Sequence, residues 1–352
     1  MGSRYSTDDR YKDNLLHSKT EALSNRKEFL DVFDSHRIFI STVSSFQGKR
    51  ELYALKKFDT VIVDEASQLL EPMVIGMLGK FRRFILIGDH KQLPAVVTQD
   101  INRSKVKDTQ LHTIGLIDSR MSLFERMYKQ CQSNGWSWAI GTLKNQGRMH
   151  QDIVSIVSEE FYDGKLSILA GISRLSSIPD LMSKNVIEES LINNRLIFID
   201  TPRGLDITRK TNLNEAIVAE KIAMHWAEIY ENNQLDFNQN ALGIITPFRS
   251  QIALIKSQNF FSSQDQITVD TIERYQGGAR DRIIISLAVS QSILLDAISN
   301  VSDEGIDRKL NVALTRAREH LIILGNKDVL QKNPLYARLI ARCHKMSIDL
   351  LV

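Results

Sequence analysis

The sequence predicts an α/β protein of parallel sheets arranged in two lobes, and three observations predict it. Runs that are apolar on successive residues, such as TVIVDE (60–65) and RIIISLAV (282–289), suit strands covered on both faces. Stretches of helical periodicity alternate with these runs, which is the pattern of strands joined by crossover helices. The third observation is size: 352 residues, 43% hydrophobic and 25% charged, provide for two buried cores.

In chain order the predicted strands of the first lobe are RIFIST (37–42), TVIVDE (60–65) and RFILIGD (83–89). Those of the second are SWAIGTL (137–143), RLIFIDT (195–201), ALGIITP (241–247), RIIISLAV (282–289) and HLIILGN (320–326). Helices are predicted at 118–132, 150–161, 213–231, 248–257, 307–318 and 328–342, where the spacing is helical and breakers are few. The segments 98–113 and 167–194 have no clear period and read as excursions. The lobe boundary falls where the second series of strands begins, giving residues 1–139 and 140–352.

Composition narrows the class of protein. A formal charge of +3 and a pI near 8.7 permit a polyanionic partner without demanding one, because 45 basic residues face 42 acidic ones. The two cysteines, Cys131 and Cys343, lack metal-ligand or disulfide-framework spacing. His90 and His150 have no metal-like neighbours in sequence, and no zinc is expected. No run is long and apolar enough for a membrane helix, and the polar N-terminus is unlike a secretory signal. The expectation is a soluble cytoplasmic protein.

In an open parallel sheet the ligand crevice lies outside the carboxyl ends of the strands, so polar residues directly after apolar runs are the ones to inspect. Asp64 and Glu65 follow TVIV, and Gly88 and Asp89 follow RFILI. Such acids suit a nucleotide-hydrolysing site, one holding Mg²⁺ and the next accepting a proton from water. They equally suit the cap of the following helix. An isolated arginine such as Arg148 or Arg316 reads as solvated surface, and Phe46, Trp136 and Trp138 read as core.

The order of the blocks separates these readings. DEASQ (64–68) followed by GDHKQLPA (88–95) resembles motifs II and III of superfamily 1 helicases, in particular the 1B group that includes the nonsense-mediated-decay helicase. STVSSFQG (41–48) resembles motif Ic, KNQGRMHQDI (144–153) motif IV, and GIITPFRSQ (243–251) the nucleic-acid segment before motif V. TVDTIERYQGGARDRIIISL (268–287) resembles motif V and RKLNVALTRARE (308–319) motif VI. The resemblance spans about residues 37–326 and implies two RecA-like lobes with ATP between them, the first lobe incomplete at its N-terminus.

The resemblance implies a role for each matching residue. Asp64 would ligate Mg²⁺, Glu65 would activate water, and Gln92 would sense the γ-phosphate. Arg148 and Arg316 would act as arginine fingers; Asp89, Gln146 and Gly277 would contact the nucleotide. Ser41, Thr42, Thr246, Pro247, Arg249 and Ser250 would grip a single strand of DNA or RNA, with Asp270 and Gln276 linking that track to the nucleotide. Movement 5′ to 3′ is expected.

Three departures qualify the resemblance. A phosphate loop needs G-x-x-x-x-G-K-[ST], but Gly48-Lys49, Gly79-Lys80 and Gly164-Lys165 are followed by Arg50, Phe81 and Leu166. The expectation is therefore the C-terminal motor portion of a longer helicase, inactive by itself; the alternative is a non-catalytic, nucleic-acid-binding or regulatory remnant. An unrelated Mg²⁺-dependent phosphohydrolase leaves the arginines and the motif order unaccounted for. Gly147 stands where the family usually has an aromatic residue, and Ala279 where it often has glutamate.

Overall fold

The computed structural model describes residues 2–5, 7–49, 51–201, 210–275 and 278–351. The chain forms two units: Met1–His90 with Pro94–Ile140, and Lys91–Leu93 with Gly141–Val352.

Unit 2 is built on a six-stranded sheet. After the short parallel pair β3 (Asn145–Gln146) and β4 (Ser167–Ile168) come β5 (Leu196–Asp200), β6 (Leu242–Ile245), β7 (Thr268–Asp270), β8 (Arg280–Ser286), β9 (Ala317–Gly325) and β10 (His344–Met346). The six strands lie in the order β10-β5-β9-β8-β6-β7, with every neighbouring pair parallel. The register explains the continuous apolar runs. Ile197, Ile322, Ile284, Ile244 and Val269 align across five strands and belong to one hydrophobic core. Their successors Phe198, Ile323, Ile285 and Ile245 align likewise and belong to the other core. Successive residues point to opposite faces, so a strand covered on both must be apolar at each position. The helix Leu213–Asn232 packs its Ala219, Ile222 and Trp226 into one core. The helices Gln151–Phe161 and Pro334–Arg342 contribute to the other.

Unit 1 contains a two-stranded parallel sheet, β1 (Thr60–Val63) and β2 (Arg83–Leu86), in register from Thr60↔Arg83 to Val63↔Leu86. Here the apolar runs are not covered on both faces: Ile62, Phe84 and Ile85 are exposed. The core is instead an aromatic cluster of Phe33, Phe39, Phe46, Tyr53, Phe58 and Phe81, with ring centroids 4.7–6.3 Å apart. A bidentate ion pair fastens helix Leu123–Ser133 to this unit: Arg126 Nε and Nη2 donate to Glu71 at 2.7 and 2.6 Å, both side chains buried.

The α/β class and parallel sheet are as the sequence predicts, but several elements differ. RIFIST is not a strand; residues 37–42 are irregular, with Phe39 in the aromatic cluster and Ile38 and Ile40 each 80% exposed. β-propensity makes a strand only where a neighbour supplies the ladder. SWAIGTL is likewise no strand: helix Leu123–Ser133 ends at Gly135 (φ +69), and Trp136 N–H turns back to Cys131 O at 2.8 Å, leading into a single turn, Ser137–Ala139. The predicted helix 307–318 stops at Leu314, because pairing of Ala317 with Arg280 starts β9 early. The predicted helix 328–342 is two helices, Lys327–Leu330 and Pro334–Arg342, since Pro334 has no N–H to continue the first. Strands β7 and β10, three residues each, carry too little pattern to be read in advance. Among the described residues no helix is long and apolar enough to cross a membrane.

Candidate functional site

In unit 1 the acids sit at the carboxyl ends of β1 and β2. Asp64 and Glu65 are exposed, and Glu65 holds a left-handed backbone (φ +52) that non-glycine residues seldom adopt. Glu65 is positioned from both sides: its N–H donates to Asp64 Oδ1 (2.9 Å), and Gln68 Nε2 donates to its Oε2 (2.6 Å). Ala66 N–H donates to Ile87 O (2.8 Å) and Asp89 N–H to Ser67 Oγ (3.3 Å), which draws Asp89 to the same edge as the acidic pair. Gly88 permits this approach, since a Cβ there would lie 2.9 Å from Ser67 N. The short turn Ala66–Gln68 receives no side-chain cap from Glu65, which removes the capping explanation for that carboxylate.

Ser41 and Thr42 also belong to unit 1. Thr42 Oγ1 caps helix Val43–Gln47 by accepting from Ser45 N–H (3.2 Å), and Ser41 Oγ donates to Thr42 O (3.0 Å).

In unit 2 a second group gathers at the amino ends of β8 and β9. Arg316 is buried between helix Arg308–Leu314 and β9. Its Nε donates to Val312 O (3.1 Å), Nη1 to Gly278 O (3.2 Å) and Nη2 to Gln92 Oε1 (3.4 Å). Gln92 belongs to this unit because Leu93 enters its core and Asn311 Nδ2 donates to Lys91 O at 2.8 Å. The structure thus brings together two predicted residues 224 positions apart. Arg316 precedes its strand, contrary to the rule that placed site residues after strands, because the guanidinium is held by the helix end and the β8 approach.

Arg148 is exposed, on a turn that Gln146 ties together. Gln146 Oε1 accepts from Arg148 N–H and Met149 N–H (2.7 Å each), and its Nε2 donates to Met149 O (2.9 Å). Gln146 therefore positions Arg148. The turn approaches the same end of β9, since His150 N–H donates to Arg318 O at 2.7 Å.

At the opposite, carboxyl end of the sheet lie Thr246, Pro247, Arg249, Ser250 and Asp270. Arg249 and Ser250 are exposed; Thr246 is fully buried, with its hydroxyl unpartnered. Asp270 accepts from Thr271 N–H at 2.8 Å. Gln276 and Gly277 lie outside the described residues.

A buried network beneath this end was not foreseen from sequence. Glu215, 0% exposed, accepts from Ser286 Oγ (2.7 Å), Ala288 N–H (2.9 Å) and Asn212 Nδ2 (3.1 Å). Gln251 closes the ring, donating to Ser286 Oγ and accepting from Asn212 N–H. Burial pushes the Glu215 carboxyl up to about 7, against these hydrogen bonds, which lower it. The available signal was the capping-box pattern Asn212-x-x-Glu215 before a helical run. Its coupling to Ser286 is a tertiary fact.

Residues 119–328 match the family described as AAA domain, and residues 3–100 match a second family of the same description. The chain belongs to the AAA domain family, as a superfamily 1 helicase motor portion. It is 30% identical over 326 residues to the DNA replication ATP-dependent helicase/nuclease dna2 of Schizosaccharomyces pombe, covering 87% of this chain and 21% of that protein. It is 27% identical over 325 residues to the DNA polymerase alpha-associated DNA helicase A of Saccharomyces cerevisiae, covering 87% of this chain and 44% of that one. The motor portion thus spans less than half the length of either relative. Among solved structures, the PRRSV helicase overlays with a TM-score of 0.36 at 16% identity, over 78% of this chain and 36% of that one.

For a superfamily 1 motor portion the residues present fit a bound Mg·nucleotide in part. The exposed Asp64–Glu65 pair, with Glu65 held by Gln68, presents two adjacent carboxylates of the kind a hydrated Mg²⁺ and an attacking water would need. The 352 residues contain no G-x-x-x-x-G-K-[ST] segment, so the cradle of N–H groups that would surround the phosphates is missing from this sequence.

Proposed function

We propose that this motor portion belongs to an ATP-driven translocase that moves 5′ to 3′ along single-stranded nucleic acid, the parent helicase hydrolysing ATP between RecA-like lobes. The names of the relatives, which are DNA helicases, favour nucleic acid as the substrate. Asp64 would hold Mg²⁺, Glu65 would orient and deprotonate the attacking water, and Arg148 and Arg316 would stabilise charge on the transferred phosphoryl group. The bound metal, for its part, supplies charge neutralisation on the phosphate oxygens.

The observation that carries this reading is the hydrogen bond between Arg316 and Gln92. The residue that would sense the γ-phosphate and an arginine remote from it in sequence are thus in direct contact, with the guanidinium buried. Burying a guanidinium is costly unless its donors are satisfied, and Val312 O, Gly278 O and Gln92 Oε1 accept from this one. On this reading Thr246 acts through its backbone, and the exposed Arg249 and Ser250 contact the sugar-phosphate chain without reading bases.

Two measurements test the proposal. The purified chain binds a fluorescent single-stranded oligonucleotide more tightly than a duplex, yet releases no phosphate from ATP in its presence. Robust nucleic-acid-stimulated turnover would refute the role assigned to the missing loop. In a longer form that carries the phosphate loop, Arg316→Ala lowers kcat by roughly 10³-fold or more; preserved turnover removes Arg316 from the mechanism.

A further inference from the structure

Glu188, His225 and Glu228 meet on the helical layer of unit 2. His225 and Glu228 are three residues apart on helix Leu213–Asn232, and so share one face of it. Glu188 comes from the neighbouring helix Val186–Asn193. His225 Nδ1 lies 3.7 Å from Glu228 Oε2 and 4.0 Å from Glu188 Oε1, and the three ligand-type atoms all lie within 4.8 Å of one another.

Two observations set this cluster apart from an ordinary surface ion pair. His225 Nδ1 is buried without a hydrogen-bond partner, although it faces two carboxylates. Glu188 is only 1% exposed, and among the described residues no lysine or arginine forms an ion pair with it or with Glu228. Glu188 accepts from Lys184 N–H (2.6 Å) and Asn185 Nδ2 (3.0 Å), which fixes the carboxylate and leaves lone pairs for a further contact.

We propose that these three side chains form a zinc-class divalent metal site that clamps the two helices together. A proton on Nδ1 would not satisfy the arrangement, because neither N···O separation is within hydrogen-bond range. An ion about 2.0–2.2 Å from each ligand bridges the gap, since tetrahedral ligands on such an ion stand roughly 3.4 Å apart. The mixed imidazole and carboxylate set favours Zn²⁺ over Mg²⁺ or Ca²⁺, which take oxygen. The half-exposed Glu228 marks the side open to solvent, where water would complete the shell. His225 lies about 18 Å along its helix from Leu213, far from the carboxyl-end residues, so the role is structural. The spacing along the chain gives no metal signature, because one ligand comes from a helix 37 residues earlier.

The test is a Zn²⁺ titration of the chelator-treated chain against a competing chromophoric chelator, with thermal unfolding measured alongside. The wild-type chain takes up one tight equivalent and its Tm rises with zinc. His225→Ala and Glu228→Gln each weaken that equivalent by at least about 100-fold, given that outer-shell partners alone are worth 10–100-fold, and each abolishes the rise in Tm. Glu228 is half exposed, so Glu228→Gln remains decisive should His225→Ala fold poorly. Equal zinc affinity in the wild type and Glu228→Gln, or no tight equivalent in the wild type, overturns the proposal.

Discussion

The sheets of the two units show how little an apolar run determines by itself. In unit 2, β5, β6, β8 and β9 are buried along almost their whole length, because helices cover both faces. In unit 1, β1 and β2 carry the same kind of run and leave Ile62, Phe84 and Ile85 exposed, with an aromatic cluster forming the core. Asp64 and Glu65 thus stand on the smaller scaffold, and Arg148 and Arg316 on the larger one. The lesson is that burial follows from what covers a strand, and composition only makes that burial possible.

The largest expected effect breaks unit 1. Arg126→Met leaves Glu71 buried and unpaired, which costs about 3–5 kcal/mol. Denaturant unfolding should then show an early transition assigned to unit 1, with Trp226 fluorescence of unit 2 changing later. A single coincident transition would mean that the units do not differ as described.

Ile284→Ala strikes unit 2 where the aligned row of isoleucines is most enclosed. A loss of about 2–5 kcal/mol is expected in the later transition, from lost burial plus the cavity left behind. A cost below 1 kcal/mol would show that the sheet collapses around the gap.

Glu215 makes unit 2 sensitive to pH in a defined direction. Its folded value is raised to about 7, so the folded state holds a proton that the unfolded chain has released above the ordinary glutamate range. Stability from this group is full below pH 4.5 and falls as pH rises through 7, by up to about 3 kcal/mol. His320 acts with the opposite sign. Burial, with Arg282 and Arg195 nearby, depresses its value, so stability is lost as pH falls below the usual histidine range. Equilibrium unfolding from pH 5 to 9 should show Glu215→Gln flattening the alkaline decline while the acid limb persists; an unchanged alkaline limb would remove Glu215 as its cause.

Two smaller effects sharpen the comparison. Arg249→Ala should weaken single-strand binding severalfold and reduce the salt slope by about 0.7, as expected for one phosphate contact. Base composition of the oligonucleotide should leave that loss unchanged. Ile85→Ala, on the exposed face of β2, should cost less than about 1 kcal/mol, and a value matching Ile284→Ala would show that this face is covered in solution.

The placement of the acids relative to the strands was legible in advance. Asp64, Glu65 and Asp89 follow their strands as read, since the turn after a parallel strand is where polar residues must surface. Arg316 stands out in the sequence only through its motif, and its place just before β9 was not legible, because the helical spacing of NVALTRAR conceals the early start of the strand. The segments 37–42 and 137–143 misled for the same reason. Their side chains favour extended backbone, and among the described residues no neighbouring strand pairs with them.

The sequence by itself determined the alternating α/β pattern, the position of the acids and the order of the motifs, all of which depend on residues near one another in the chain. Only the tertiary structure decided that Gln92 meets Arg316, that Glu215 meets Ser286, and that Glu188 meets His225. Each of those pairings joins side chains separated by tens to hundreds of residues. Periodicity reports which face of an element is buried; which partner comes to lie against that face depends on the packing of the whole unit.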